Sequence, residues 1–336
     1  MHWFIVPSLD GPVSGGTLYN RQLMAALQDA QCQCGLLPLE RAASALPWAT
    51  AGDFYWVDSL YLEDLPDLAR RVNRVASLGL IVHYLPSLIG GGESLGPEDV
   101  TPIEAAALRV ARVFLVPSPF MLGVVRRLAG AERPVLCVAP GCLASASLSV
   151  PEPPVHAAMV ANLVPGKGVE EFLTCLASQI RETDALDLAI VGGARHDPRY
   201  AKRCHALAKD ARLRGRVRFL GELSPEQTQM HMAASNLLVS ASTMESYGMA
   251  LAEARTVGLP ILARRGGHVA ALVSDDCGGE LVMTTEDLVA ACLMLCRTPA
   301  EHRRRMQLAR TRALPGRPWS LAAREFTDQH GVHGVG

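Results

Sequence analysis

The stretch Asn236-Leu237-Leu238-Val239-Ser240-Ala241-Ser242-Thr243-Met244-Glu245-Ser246-Tyr247-Gly248-Met249-Ala250-Leu251-Ala252-Glu253-Ala254 decides the reading of this chain. An apolar strand breaks into a polar loop at its carboxyl end and restarts as a helix at Gly248. Such a junction leaves backbone N–H groups of Gly248, Met249 and Ala250 pointing at open space, where the helix dipole adds partial positive charge. It is suited to a phosphate. Glu245 lies just before this anion site and Glu253 about a turn and a half beyond it. One carboxylate can face the group on one side of a bound diphosphate, and the other can reach hydroxyls on the far side. Two glutamates at this spacing are also compatible with an ordinary solvated helix face, so the surrounding sequence has to decide.

Outward from that junction, short apolar runs alternate with helical patterns along the whole chain, the signature of parallel α/β sheets. Strands are predicted near 2–8, 34–39, 53–59, 77–84, 112–117 and 134–139, then from 157 to 163 and near 186–192, 216–220, 236–241, 259–263 and 280–283. Amphipathic helices fall between them, for instance over 16–30 and 119–129. The Pro-rich stretch 145–154 sustains neither element and reads as a linker. The expected organisation is a domain over 1–150, a second over 151–314, and a last helix and tail over 315–336 that starts after Pro315-Gly316. A length of 336 residues suits two domains of about 150 residues,.

Composition narrows the function classes. Hydrophobic residues make up 49% and charged residues 19%, as in globular proteins with large buried sheets,. A net charge of −1 gives no footprint for nucleic acid,. Two basic clusters, Arg126-Arg127 with Arg133 and Arg303-Arg304-Arg305, leave room for weak attachment to a membrane surface, although each also reads as a solvated helix face. The nine cysteines form no CxxC pair and no Cys/His metal spacing, which points to reduced thiols and a cytoplasmic protein, with peripheral attachment at the inner membrane face left open,. The apolar run at the N-terminus is too short for a signal peptide and reads as a first strand.

Four further constellations bear on chemistry. Gly11-Pro-Val-Ser-Gly15-Gly16-Thr17 follows the first strand and opens the first helix, so Gly15 and Gly16 let backbone approach a ligand closely. It is not Gly-x-Gly-x-x-Gly, which disfavours a dinucleotide dehydrogenase. Gly79-Leu-Ile-Val-His83 places a histidine at the carboxyl end of a buried strand, and Leu88–Gly96 after it reads as a flexible loop able to shape an acceptor site. Met159-Val-Ala-Asn162-Leu-Val-Pro-Gly-Lys167-Gly168 opens the second domain with a lysine at a helix start, in a chain of three lysines and 29 arginines. Strand ends at Val191-Gly192-Gly193 and Leu220-Gly221-Glu222 complete the set. No Asp-x-Asp, Gly-x-Ser-x-Gly or P-loop motif occurs, which removes the metal-dependent GT-A, serine hydrolase and NTPase readings.

Taken together these segments resemble the retaining, nucleotide-sugar-dependent glycosyltransferases of the GT-B fold, family 4. The resemblance rests on the Glu-x7-Glu element at Glu245 and Glu253, the Gly15-Gly16 loop and the Asn162 to Gly168 segment. It implies two Rossmann-like domains facing an interdomain cleft, with the C-terminal helix crossing back to the first. It also implies that Lys167 and the helix start at Gly248, Met249 and Ala250 hold the donor diphosphate, with no metal and no other cofactor. Glu245 would orient the sugar hydroxyls, Glu253 bind the ribose diol, His83 touch the donor sugar and Leu220 line the base. Gly15 and Gly16 would lie over the diphosphate and the hydroxyl acceptor. The family often has Arg where this chain has Asn162, which puts less cation at the leaving group. Alternatives that keep the scaffold are a nucleotide-sugar isomerase, a sugar phosphorylase, or a degenerate nucleotide-sugar-binding subunit.

Overall fold

The computed structural model describes residues 1–11, 13–72, 75–91, 95–142 and 154–332. The chain divides into two compact units. One contains Met1–Gly141 with Arg317–Gly336, and the other contains Cys142–Gly316. The expected linker lies, apart from Pro154, outside the described residues.

The first unit holds β1 (His2–Ile5), β2 (Cys34–Leu36), β3 (Phe54–Asp58), β4 (Ser77–Ile81), β5 (Val113–Val116) and β6 (Val135–Cys137). They form one sheet in the order β2-β1-β3-β4-β5-β6, and every pairing is parallel. Parallel strands need helical crossovers, and helices over both faces explain why β3 and β5 are buried along their whole length,. The second unit holds β7 (Val155–Val160), β8 (Leu186–Val191), β9 (Val217–Gly221), β10 (Leu237–Ser240), β11 (Ile261–Arg264) and β12 (Glu280–Val282). Its order is β12-β11-β10-β7-β8-β9, again all parallel.

Each sheet reverses its winding once: between β1 and β3 in the first unit, and between β7 and β10 in the second. At such a point consecutive loops leave in opposite directions, and the carboxyl ends of the two strands open a crevice where α/β sheets bind ligands. Three of the segments singled out from the sequence fall at these two places, while His83 follows β4 and Leu220 lies on β9. Gly15 and Gly16 follow β1, Asn162 and Lys167 follow β7, and Glu245 and Gly248 follow β10.

The last helix, Trp319–Val332, packs within the first unit. Its Ala322, Ala323 and Phe326 are buried in the core formed by Phe4, Leu23, Leu27, Phe54 and Trp56. Burying a phenylalanine of this kind contributes on the order of 2–3 kcal/mol. The side-chain amide of Gln329 brackets Cys137 on edge strand β6, accepting from its N–H at 2.8 Å and donating to its carbonyl at 3.0 Å. That caps a sheet edge whose backbone groups would otherwise be open to pairing. Burial pushes the neighbouring His2 down to about 4, so the ring is neutral and accepts from Trp56 Nε1 at 3.2 Å.

The segment after β4 differs from expectation. Ser87–Gly91 is a short helix, because the buried Glu104 carboxylate accepts from the Ser87 N–H at 3.0 Å and also from the Ser87 hydroxyl. The same carboxylate accepts from Thr101 N at 2.7 Å. Gly92, Glu93 and Ser94, the middle of the predicted loop, lie outside the described residues. The basic clusters are largely occupied: Arg304 and Arg305 both pair with Glu301, Arg305 also pairs with Glu280, and Arg133 lies over the Phe114 ring. No helix among the described residues is long and apolar enough to cross a membrane.

Candidate functional site

In the second unit the site is assembled from three loops that bond to one another. Thr243 donates through its N–H and its hydroxyl to the Gly166 carbonyl at 3.1 and 3.3 Å, which ties the loop after β10 to the turn after β7. Glu245 N donates to Gly266 O, and His268 N donates to Glu245 O at 2.8 Å, which ties the same loop to the turn after β11. Close backbone approach demands glycine here. A Cβ at Gly168 would lie 2.3 Å from the Ala241 carbonyl oxygen, one at Gly266 2.1 Å from Thr243 O, and one at Gly267 2.3 Å from Glu245 O,. The Tyr247 and His268 rings stack at 5.5 Å over this junction.

These bonds bring Lys167 to Glu245 across 78 residues of sequence, with Nζ donating to Oε1 at 2.6 Å. Both side chains remain partly exposed, 32% for Lys167 and 16% for Glu245, so the pair is reachable from solvent. The helix Met249–Val257 starts at Gly248, whose φ of +87° is left-handed, and no side chain caps it. The backbone N–H groups of Met249 and Ala250 in its first turn thus meet a helix start that supplies no anion of its own.

Glu253 projects from the second turn of that helix. Burial pushes its carboxyl up to about 7, with no opposing hydrogen bond or cation. A solvated helix face would leave the carboxyl at its ordinary value, so Glu253 is a half-buried acid without a partner among the described residues. Such a group is costly to keep buried.

Asn162 is put to a different use from its neighbours. Its Oδ1 accepts from Gly193 N at 2.8 Å, joining the loops after β7 and β8. Leu220 lies on edge strand β9, two strands from β7 and so roughly 10 Å away by strand spacing,. It stands apart from the Lys167, Glu245 and Gly248 group, at the end of the sheet where Gly192 N donates to Gly221 O.

In the first unit the helix Gly15–Asp29 begins beside the switch point, but its start is closed from within. Ser14 Oγ accepts from Thr17 N at 3.1 Å, and Thr17 Oγ1 accepts from Ser14 N at 2.7 Å, a capping box,. Nothing lies within 4 Å of a Cβ built on Gly15. One on Gly16 would stand 3.1 Å from the His83 ring, so Gly16 makes room for that histidine. The ring packs edge-on to Tyr19 at 5.0 Å. Its Nε2 lies 2.8 Å from Asn20 Oδ1, and Asn20 Nδ2 donates to Asp58 Oδ2 at 2.6 Å. Asp58 and Ser59 were not singled out in the sequence. The signal that could have found Asp58 is a carboxylate closing the buried run Phe54–Val57 at the carboxyl end of β3, next to the strand end that His83 follows.

Two parallel α/β units of this topology define the GT-B class of fold, and solved structures agree over the whole length. A sucrose-phosphate synthase from Thermosynechococcus elongatus matches at TM-score 0.76 and 19% identity, covering 99% of both chains. Anabaena HepE, solved with UDP and glucose, matches at TM-score 0.69 and 14% identity, covering 99% of this chain and 100% of that one. The family model "Glycosyl transferases group 1" matches residues 144–311, half of the sequence, and the chain belongs to that family. Similar curated proteins include alpha-monoglucosyldiacylglycerol synthase of Streptococcus pneumoniae, 28% identical over 127 residues, or 38% of this chain and 28% of that protein. D-inositol 3-phosphate glycosyltransferase of Xylanimonas cellulosilytica is 29% identical over 142 residues, or 42% of this chain and 34% of that protein. The chain thus spans about a third of the length of the curated relatives it matches.

Proposed function

We propose that this protein transfers a sugar from a nucleoside-diphosphate sugar to a hydroxyl acceptor with retention of anomeric configuration. The observation that carries the reading is the grouping, at the switch point of the second sheet, of an uncapped helix start at Gly248, the Lys167 ammonium and the unpartnered acid Glu253. A cation and oriented N–H groups suit a diphosphate, and a half-buried acid without donors suits a ribose diol. Among proteins of this fold, the Anabaena structure holds UDP and glucose.

In the reaction, the bond between the anomeric carbon and the β-phosphate oxygen breaks and a bond from that carbon to the acceptor oxygen forms on the same face. The acceptor's proton passes to the departing phosphate. Charge grows on that phosphate, and Lys167 with the Met249 and Ala250 N–H groups stabilises it without reorganising. Glu245 takes hydrogen bonds from the sugar hydroxyls and balances the oxocarbenium character of the transition state. His83 contacts the sugar. On this account the transfer needs no metal and the protein acts as a metal-independent member of family 4.

A thermal-shift panel of nucleoside diphosphates and their sugars tests the reading. A ligand at 100 times its Kd adds about 2.7 kcal/mol of stability. Turnover of the best binder with and without a hydroxyl acceptor then separates transfer from isomerisation. A shift without turnover would leave the degenerate nucleotide-sugar-binding subunit, no shift with any uridine, guanosine or adenosine diphosphate would overturn the reading, and turnover lost to EDTA and restored by Mn²⁺ would overturn the metal-free account.

A further inference from the structure

We propose that Asp58 and Asn20 are positioning residues that lock His83 in one tautomer, so that its Nδ1 accepts a hydrogen bond from a sugar hydroxyl. The inference rests on the reading that His83 serves the sugar, and it adds the chemistry that histidine can recognise.

The argument is one of donors and acceptors. Asp58 closes β3 and is buried; its Oδ1 accepts from Leu60 N at 2.9 Å and its Oδ2 from Asn20 Nδ2 at 2.6 Å. An ionised carboxylate only accepts, so the amide nitrogen of the fully buried Asn20 has to face it,. Asn20 Oδ1 then faces His83 Nε2 at 2.8 Å, and a carbonyl oxygen also only accepts. Nε2 therefore carries the hydrogen. Burial holds His83 below its ordinary value against the opposing pull of Asp58, so the ring is neutral and Nδ1 is a bare lone pair,. Nδ1 takes no hydrogen bond from any described residue, while the side chain keeps 11% exposure.

Asn20 changes what Asp58 can do. A carboxylate bonded directly to the imidazole favours the imidazolium. Here Asp58 lies 3.7 Å from Nε2 with the Asn20 amide relaying the contact, so orientation is passed on and the proton is not drawn in,. The backbone is fixed as well, since Ser59 Oγ accepts from the N–H groups of His83 and Tyr84 at 3.2 and 3.3 Å. A ring fixed from below by Gly16 and Tyr19 and presenting only a lone pair accepts from a hydroxyl. It repels a carboxylate or phosphate placed there, which favours neutral sugars over uronic acids at this contact.

The test is long-range ¹H–¹⁵N correlation of histidine-labelled protein, with steady-state kinetics on the full chain. The wild-type His83 signal should report Nε2–H with an unprotonated Nδ1. Asp58→Asn gives Asn20 a partner that both donates and accepts, so the amide can turn over. The His83 signal should then shift toward Nδ1–H, and kcat/KM should fall at least tenfold while the Kd for nucleoside diphosphate changes less than twofold. Wild-type protein with Nδ1–H would overturn the proposal, and so would a folded Asp58→Asn protein that keeps both tautomer and turnover. If the variant does not fold, the wild-type spectrum decides alone. Failure of the glycosyltransferase reading would appear separately, as absent nucleotide binding with the tautomer as stated.

Discussion

The two units build the same junction, a strand at a switch point turning into a helix, and finish it in opposite ways. After β1 the helix start is closed by Ser14 and Thr17, and the residues around it converge on a neutral histidine. After β10 the helix start is a left-handed glycine with no side-chain cap, and the residues around it are a lysine and two acids. Closing a helix N-terminus satisfies orphan N–H groups and stabilises the fold; leaving it open keeps an anion site. The same local geometry is therefore closed by its own side chains in one unit and left without a side-chain cap in the other.

The largest effect that would sharpen this contrast is at Lys167. Lys167→Ala should lower kcat by about 10²–10³, the loss seen when one donor to a developing oxyanion is removed. Thermal stability should barely change, because the lysine's one ion pair is partly exposed,. Glu245→Gln should act in the opposite direction on binding. It frees Lys167 from its resident counter-charge, so nucleoside diphosphate should bind about two- to fivefold tighter, the ~0.5–1 kcal/mol of such a pair, while turnover falls. Titration calorimetry reads both, and weaker binding by Glu245→Gln would show that Lys167 does not move between the two partners.

Glu253 tests whether the open junction costs stability. Its folded value of about 7 stands above the ordinary 4.5, so between those values the folded state holds more protons than the unfolded one. Stability therefore falls as pH rises from 4.5 to 7, and the full cost stands above 7. A rise of that size corresponds to roughly 3 kcal/mol. Glu253→Gln should recover much of that above pH 7 and little at pH 4.5, as chemical denaturation at the two pH values would reveal. Nucleotide affinity should rise with pH toward 7 in the parent, since ribose hydroxyls donate to the carboxylate form, and should be flat and weaker in the variant.

How far this was legible in the sequence follows from the range of the interactions. Strands and helices were readable because each is set by a contiguous apolar pattern, and the helix 119–129 appears where expected. Lys167, Glu245 and His83 were readable as candidates because each sits at a strand end or helix start. The Lys167–Glu245 pair and the Asp58–Asn20–His83 chain were not, because their members lie 38 to 78 residues apart and meet only after the sheets form. The helix Ser87–Gly91 was read as loop because its anchor, Glu104, is 17 residues away. Glu253 is legible as a candidate from its spacing to Glu245, but its burial, which the spacing does not show, appears only in the folded chain.

Asn162 offers a smaller effect and a correction to what an arginine there would do. Its side chain holds Gly193 N, so Asn162→Arg leaves that group without its acceptor, at a cost of about 1–3 kcal/mol,. A diphosphate that still reaches the new guanidinium would bind tighter despite the loss. Unchanged affinity in a destabilised but folded variant would mean that Asn162 serves the loop alone.

The smallest effect is the control on the closed junction. Ser14→Ala removes the hydroxyl that accepts from Thr17 N and the capping box with it, so about 1 kcal/mol of stability should be lost,. Because that helix start is filled by its own residues, nucleoside diphosphate affinity should stay within the error of the titration. Inorganic phosphate or sulfate should not restore the lost stability. If an anion does restore it, or if nucleotide binding moves with the cap, the helix at Gly15 is a second anion site and the distinction between the two junctions fails. If stability falls and binding holds, the cap after β1 is a packing device, and the open helix after β10 stands as the feature that separates the donor unit from its structural counterpart.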